Sequence, residues 1–153
     1  MHYSYPSYLP CVPYLHSTFK ILKQNINQDD IDAVIDVLKS DFLTQGPMVP
    51  QFEKLVTDYV GANYGIAINS ATSGLHIACM ALGLSDGDIL WTSPITFVAS
   101  SNCGIYCGAK VDFVDIDINT FNISIEKLKK KLHAASKNNS LPKIIVPVDF
   151  AGN

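Results

Sequence analysis

From Gly61 onward the chain alternates short apolar runs with longer amphipathic ones, and this alternation restricts the fold more than any other feature. Tyr64–Asn69, Ile89–Thr92, Lys110–Val114 and Lys143–Asp149 are rich in β-branched and aromatic side chains and are bounded by Gly, Pro, Asp or Ser, so each predicts a strand. Pro94 stops the second, and Pro147 places a bend or an edge near the end of the last. Between them the spacing predicts helices from about Thr72 to Leu82, closed by Gly83, and from about Phe97 to Tyr106 or Cys107. A third is capped by Ser124 and carries Ile125, Leu128 and Leu132. Residues 133–142 read as polar and turn-rich. Strands alternating with helices predict an α/β domain with a mainly parallel sheet and flanking helices.

Two further helices precede this region. Asn27 is a suitable N-cap, Asp29 and Asp30 place negative charge in the first turn, and Ile31, Val34, Ile35 and Leu38 recur at helical spacing up to about Ser40. Phe42 to Pro47 is a loop whose Gly-Pro cannot continue a helix. Pro50 suits the first turn of the next helix, with Phe52, Leu55, Val56 and Tyr59 on its inner face. Residues 1–22 carry Tyr3, Tyr5, Tyr8 and Tyr14 among Pro6, Pro10 and Pro13 without helical or strand period. They read as an atypical, poorly ordered tail, with ordered structure over 23–153.

Bulk properties remove several classes of function. A chain of 153 residues with 48% hydrophobic and 16% charged residues can bury a core as one domain. Net charge is −3, which gives no general attraction to nucleic acid or anionic membranes. The basic run Lys127–Lys131, interrupted by Leu128, reads as a solvated helix face. Apolar runs are broken well short of the ~18 residues a membrane span needs, and the N-terminus has no secretory pattern. Cys11, Cys79, Cys103 and Cys107 form no CxxC pair, so they read as buried free thiols suited to a reducing cytoplasm and not as a metal site.

Ligands of parallel sheets sit beyond the carboxyl ends of the strands. Asn69–Ser73, Ser93–Phe97 and Asp149–Gly152 each follow a predicted strand, so they are expected on one rim. In the first of these, small hydroxylated residues meet the start of a helix, whose leading N–H groups and dipole make an anion site. Thr72 and Ser73 are therefore candidate phosphate ligands, although Ser and Thr also serve as ordinary caps there. The turn lacks both GxGxxG and GK[ST], which disfavours a dinucleotide fold and a P-loop. Phe97, just past Ser93-Pro94, is either a ring that stacks on a planar ligand or a core residue. His76 reads as a partly buried structural residue and Trp91 as core.

Four segments occur in a specific order: Leu43-Thr44-Gln45-Gly46-Pro47, Asn69-Ser70-Ala71-Thr72-Ser73-Gly74-Leu75-His76, Thr92-Ser93-Pro94-Ile95-Thr96-Phe97-Val98-Ala99-Ser100 and Val148-Asp149-Phe150-Ala151-Gly152. Together they resemble the pyridoxal-phosphate-dependent sugar aminotransferases of the DegT/DnrJ/EryC1/StrS group. Cys103 and the stretch Tyr106–Asp117 resemble the branch that serves pseudaminic acid biosynthesis. The resemblance covers about residues 23–153 and implies the N-terminal part of the large domain of a fold-type-I transferase. It implies pyridoxal 5′-phosphate as cofactor, with its phosphate at Thr72 and Ser73 and its ring against Phe97. It also implies transfer of an amino group from glutamate to C4 of a 4-keto-6-deoxy UDP-sugar, in a cytoplasmic homodimer with no nucleic-acid or membrane partner. Asp149 stands where many relatives have His and receives no role; Gln45 lies in a loop that approaches the active site in the family. The Schiff-base Lys and the Asp that pairs with the ring nitrogen lie, in the family, downstream of the Ala-Gly loop. No lysine here sits in a matching motif, and no catalytic residue is assigned. The expectation is an incomplete chain, inactive alone and poorly soluble without a complementing chain. The alternative is a non-catalytic remnant or partner that binds a phosphorylated ligand or an intact homologue.

Overall fold

The computed structural model describes residues 25–152. The predicted tail over 1–22 and Cys11 lie outside the described residues. Two compact units divide between Gly65 and Ile66.

The first unit holds helix α1, Gln28–Lys39, and helix α2, Met48–Val60. Asn27 caps α1 through a reciprocal capping box: its side chain accepts from the Asp30 N–H, and the Asp30 carboxylate accepts from the Asn27 N–H at 2.9 Å. Asp29, Asp30 and, at the other end, Lys39 match the helix dipole. Pro50 falls in the first turn of α2, where a missing N–H costs nothing, and Gly61 ends the helix at φ +69°. The expected inner faces are not buried. Leu38 is 65% exposed and Phe52 58%, and neither helix contains a buried residue. The apolar stripes are present, but the two helices among the described residues of this unit do not enclose them.

The second unit is built on a parallel three-stranded sheet in the order β2-β1-β3, with β1 Ile89–Thr92, β2 Lys110–Phe113 and β3 Ile144–Val146. Its helices are α3 Ala71–Ala81, α4 Ala99–Tyr106 and α5 Ile125–Lys137. In register, Trp91 lies beside Asp112 on one side and Ile145 on the other. The period-two alternation of strand residues sorts the core into two layers. Leu90, Val111, Ile144 and Val146 join Cys79 and Leu75 of α3, Cys103 of α4, and Leu84. Ile89, Trp91 and Ile145 join Leu128, Leu132 and Ala135 of α5. The helix of the β1–β2 connection thus packs on one face and the helix of the β2–β3 connection on the other. That is the doubly wound arrangement expected of right-handed crossovers, the first running from β1 to β2 and the second back from β2 past β1 to β3.

Three expectations are corrected here. Tyr64–Asn69 is not a strand: Tyr64 is 90% and Ile66 83% exposed. Its sequence suits a strand, but β structure exists only when a neighbouring strand completes the ladder. Residues 133–137 are the last turn of α5, not loop, because Ala134 and Ala135 sustain the helix and Ala135 is buried at 6% exposure against the sheet. The basic run is only partly a solvated face. Lys127 pairs with Asp115, while Lys131 pairs with Asp112, donates to the Phe113 carbonyl at 2.6 Å and stands 4.7 Å over the Trp91 ring.

Candidate functional site

The start of α3 is organised by Ser70, whose hydroxyl oxygen accepts from the Ser73 N–H at 3.2 Å. The Ser70 hydroxyl donates in turn to Ser73 Oγ at 3.0 Å. The helix expected from about Thr72 therefore starts one residue earlier, after a Ser70 cap whose sequence signal is the Ser-x-x-Ser spacing. The cap also changes the donor set, because the Ser73 N–H is occupied by Ser70. The N–H groups of Ala71 and Thr72 find no acceptor among the described residues. Thr72 is exposed and Ser73 half-buried. The first turn of this eleven-residue helix thus carries two backbone donors, the positive dipole end and the hydroxyls of Thr72 and Ser73. An anion there gains roughly 0.3–1 kcal/mol from the dipole alone, before any hydrogen bond is counted.

At its other end α3 closes with paired bonds from the Gly83 N–H to the Met80 carbonyl and from the Leu84 N–H to the Cys79 carbonyl, at 2.9 and 3.0 Å. The cap holds Leu84 in the core and so fixes the helix on the sheet. His76, midway along α3, is half-buried with its ring centroid 5.2 Å from that of Tyr106, consistent with a structural role.

Ser93–Val98 leaves the carboxyl end of β1. Phe97 is 74% exposed, so it is no core residue and its ring is available to a planar partner. The segment beneath it is fixed: Thr96 Oγ1 and Ser100 Oγ lie 2.7 Å apart, and Ala99 and Ser100 are buried at the start of α4. Ser93 is fully buried and its hydroxyl has no hydrogen-bond partner among the described residues, a cost of about 1–3 kcal/mol. Thr92 Oγ1 donates to the Val146 carbonyl at 2.9 Å, tying the ends of β1 and β3.

Asp149–Gly152 leaves the carboxyl end of β3, so it shares a rim with Ser93–Phe97, as expected from a parallel sheet. The Phe150 N–H donates to Asn122 Oδ1 at 2.7 Å and its ring contacts that of Phe121. Asp149 lies on a cavity of about 570 Å³ with Asp117, Asn122 and Glu126. The third segment, Asn69–Ser73, does not follow a strand in this structure, which leaves its membership of that rim an expectation from the sequence.

Three carboxylates are held below the usual range. Asp88 accepts from Lys143 and from the Ser85 N–H, Asp112 from Lys131, and Asp115 from Lys127 and the Ile116 N–H; in each the lysine hydrogen bond is the largest cause. The Cys79 thiol is pushed up to about 12, first by burial and then by its hydrogen bond with Cys103. Cys79, Cys103 and Cys107 are all free thiols, and no metal-ligating group of three occurs among the described residues. No helix among them is long and apolar enough to cross a membrane.

The profile of the DegT/DnrJ/EryC1/StrS aminotransferase family matches residues 24–153. The chain belongs to this family. It is 44% identical over 130 residues to the UDP-4-amino-4,6-dideoxy-N-acetyl-β-L-altrosamine transaminase of Campylobacter jejuni, covering 85% of this chain and 33% of that protein. Among solved structures it is similar to Helicobacter pylori PseC, an aminotransferase of pseudaminic acid biosynthesis, at 33% identity and TM-score 0.71, covering 84% of this chain and 33% of that one. It is also similar to the PMP form of the sugar aminotransferase homologue Spr1654 from Streptococcus pneumoniae, at 27% identity and TM-score 0.73, covering 84% and 31%. The small parallel sheet with helices on both faces is thus the N-terminal portion of the family's aminotransferase fold. The chain spans about a third of the length of the relatives it matches.

Proposed function

We propose that this chain supplies the phosphate cradle and the ring platform of a pyridoxal-phosphate-dependent sugar aminotransferase. In this reading the amino group passes from glutamate to C4 of a 4-keto-6-deoxy UDP-sugar, in the cytoplasm and in a homodimer. The observation that carries it is the N-terminus of α3, where the N–H groups of Ala71 and Thr72 have no acceptor among the described residues and stand with the hydroxyls of Thr72 and Ser73. A dianionic phosphoester fits this donor set; a neutral ligand would leave it unused. The identity to a UDP-sugar transaminase and the PMP form of a structural relative support the choice of cofactor and substrate class.

Each residue's contribution follows from its geometry. The Ala71 and Thr72 N–H groups and the Thr72 and Ser73 hydroxyls hold the phosphate. Ser70 keeps the turn in shape by occupying the Ser73 N–H. Phe97, whose ring is exposed, would stack on the pyridine ring. The cofactor supplies an electron sink that lets a proton move at the carbon bearing the amino group. Among the described lysines, Lys54, Lys127, Lys131 and Lys143 are engaged in ion pairs, and none is assigned the role of nucleophile.

The test is a chimera in which residues 24–153 replace the matching segment of the Campylobacter jejuni relative. The expected result is transfer of ¹⁵N from labelled glutamate to a UDP-4-keto-6-deoxy-sugar, read by mass spectrometry. Loss of transfer in the Thr72→Val and Phe97→Ala chimeras completes the expectation. A chimera that folds and binds the cofactor yet transfers no label refutes the proposal.

A further inference from the structure

We draw no further inference here: the strongest candidate, the cavity between the carboxyl end of β3 and the first turn of α5 lined by Asp117, Glu126 and Asp149, is an acidic cluster beside a helix N-terminus, and nothing in the structure shows what would occupy it.

Discussion

Ser70 caps α3 at the candidate site and is given no contact with the ligand. Ser70→Ala removes the cap to Ser73 and is expected to cost about 1 kcal/mol of stability, measured by urea unfolding. It also frees the Ser73 N–H, so phosphate affinity should fall far less than in Thr72→Val. The thiols give a second residue-scale prediction. Cys79 and Cys103 are 3% and 1% exposed, and Cys79 titrates at about 12, so both should resist alkylation at neutral pH until the chain unfolds. Among the three described thiols, half-buried Cys107 should react first with iodoacetamide, as peptide mapping would show. Equal labelling of all three in the native protein would contradict the burial described. Caps such as Asn27 and Ser124 were legible in the sequence because capping is local. The partners of Lys127 and Lys131 were not, because Asp115 and Asp112 lie on another element and meet them only through the fold.

At the scale of elements, α4 lies tightly against the sheet at Gly104. A Cβ on Gly104 would stand 2.9 Å from Val111 Cγ2 and 3.2 Å from Leu90 Cβ. Alanine normally gains about 1 kcal/mol over glycine inside a helix. Here the contact reverses the sign, and Gly104→Ala should destabilise by about 1–3 kcal/mol in urea titrations. A stabilised variant would mean that α4 does not seat on β1 and β2 as described. The ion pairs add a pH dependence whose sign is fixed. Asp88, Asp112 and Asp115 have depressed carboxyls, so their contribution is present above the unfolded value of about 3.9 and is lost as pH falls through the lower folded values. Thermal stability should therefore decline below about pH 4, and Lys131→Met should flatten that decline. The carboxylates of Asp112 and Asp115 are more than half exposed, so their effect is small. The strands β1, β2 and β3 were readable because they are short apolar runs with turn signals on both sides. Tyr64–Asn69 has the same signature, yet it forms no strand, because pairing depends on a neighbour that composition does not reveal.

For the molecule as a whole, the fold class was legible and the burial was not. Periodicity announces an apolar stripe but not what covers it. Ile31, Val34, Leu38, Phe52 and Leu55 on α1 and α2, with Ile77 and Met80 on α3, are all exposed. That much apolar surface exceeds what a soluble monomer usually carries, so the isolated chain should self-associate at micromolar concentration and bind an apolar dye. Sedimentation velocity showing a stable monomer would oppose this. Family membership rests on residues 24–153, but the ligand chemistry rests on one turn and one ring, and those are directly measurable. The decisive experiment is calorimetric titration of the purified chain with pyridoxamine 5′-phosphate and with pyridoxamine, neither of which can modify lysines. The account predicts that the phosphorylated ligand binds at least about tenfold more tightly, and that Thr72→Val, Ser73→Ala and Phe97→Ala each weaken it. Equal affinity for the two ligands, or three variants that bind like the parent, would contradict the phosphate cradle at the start of α3.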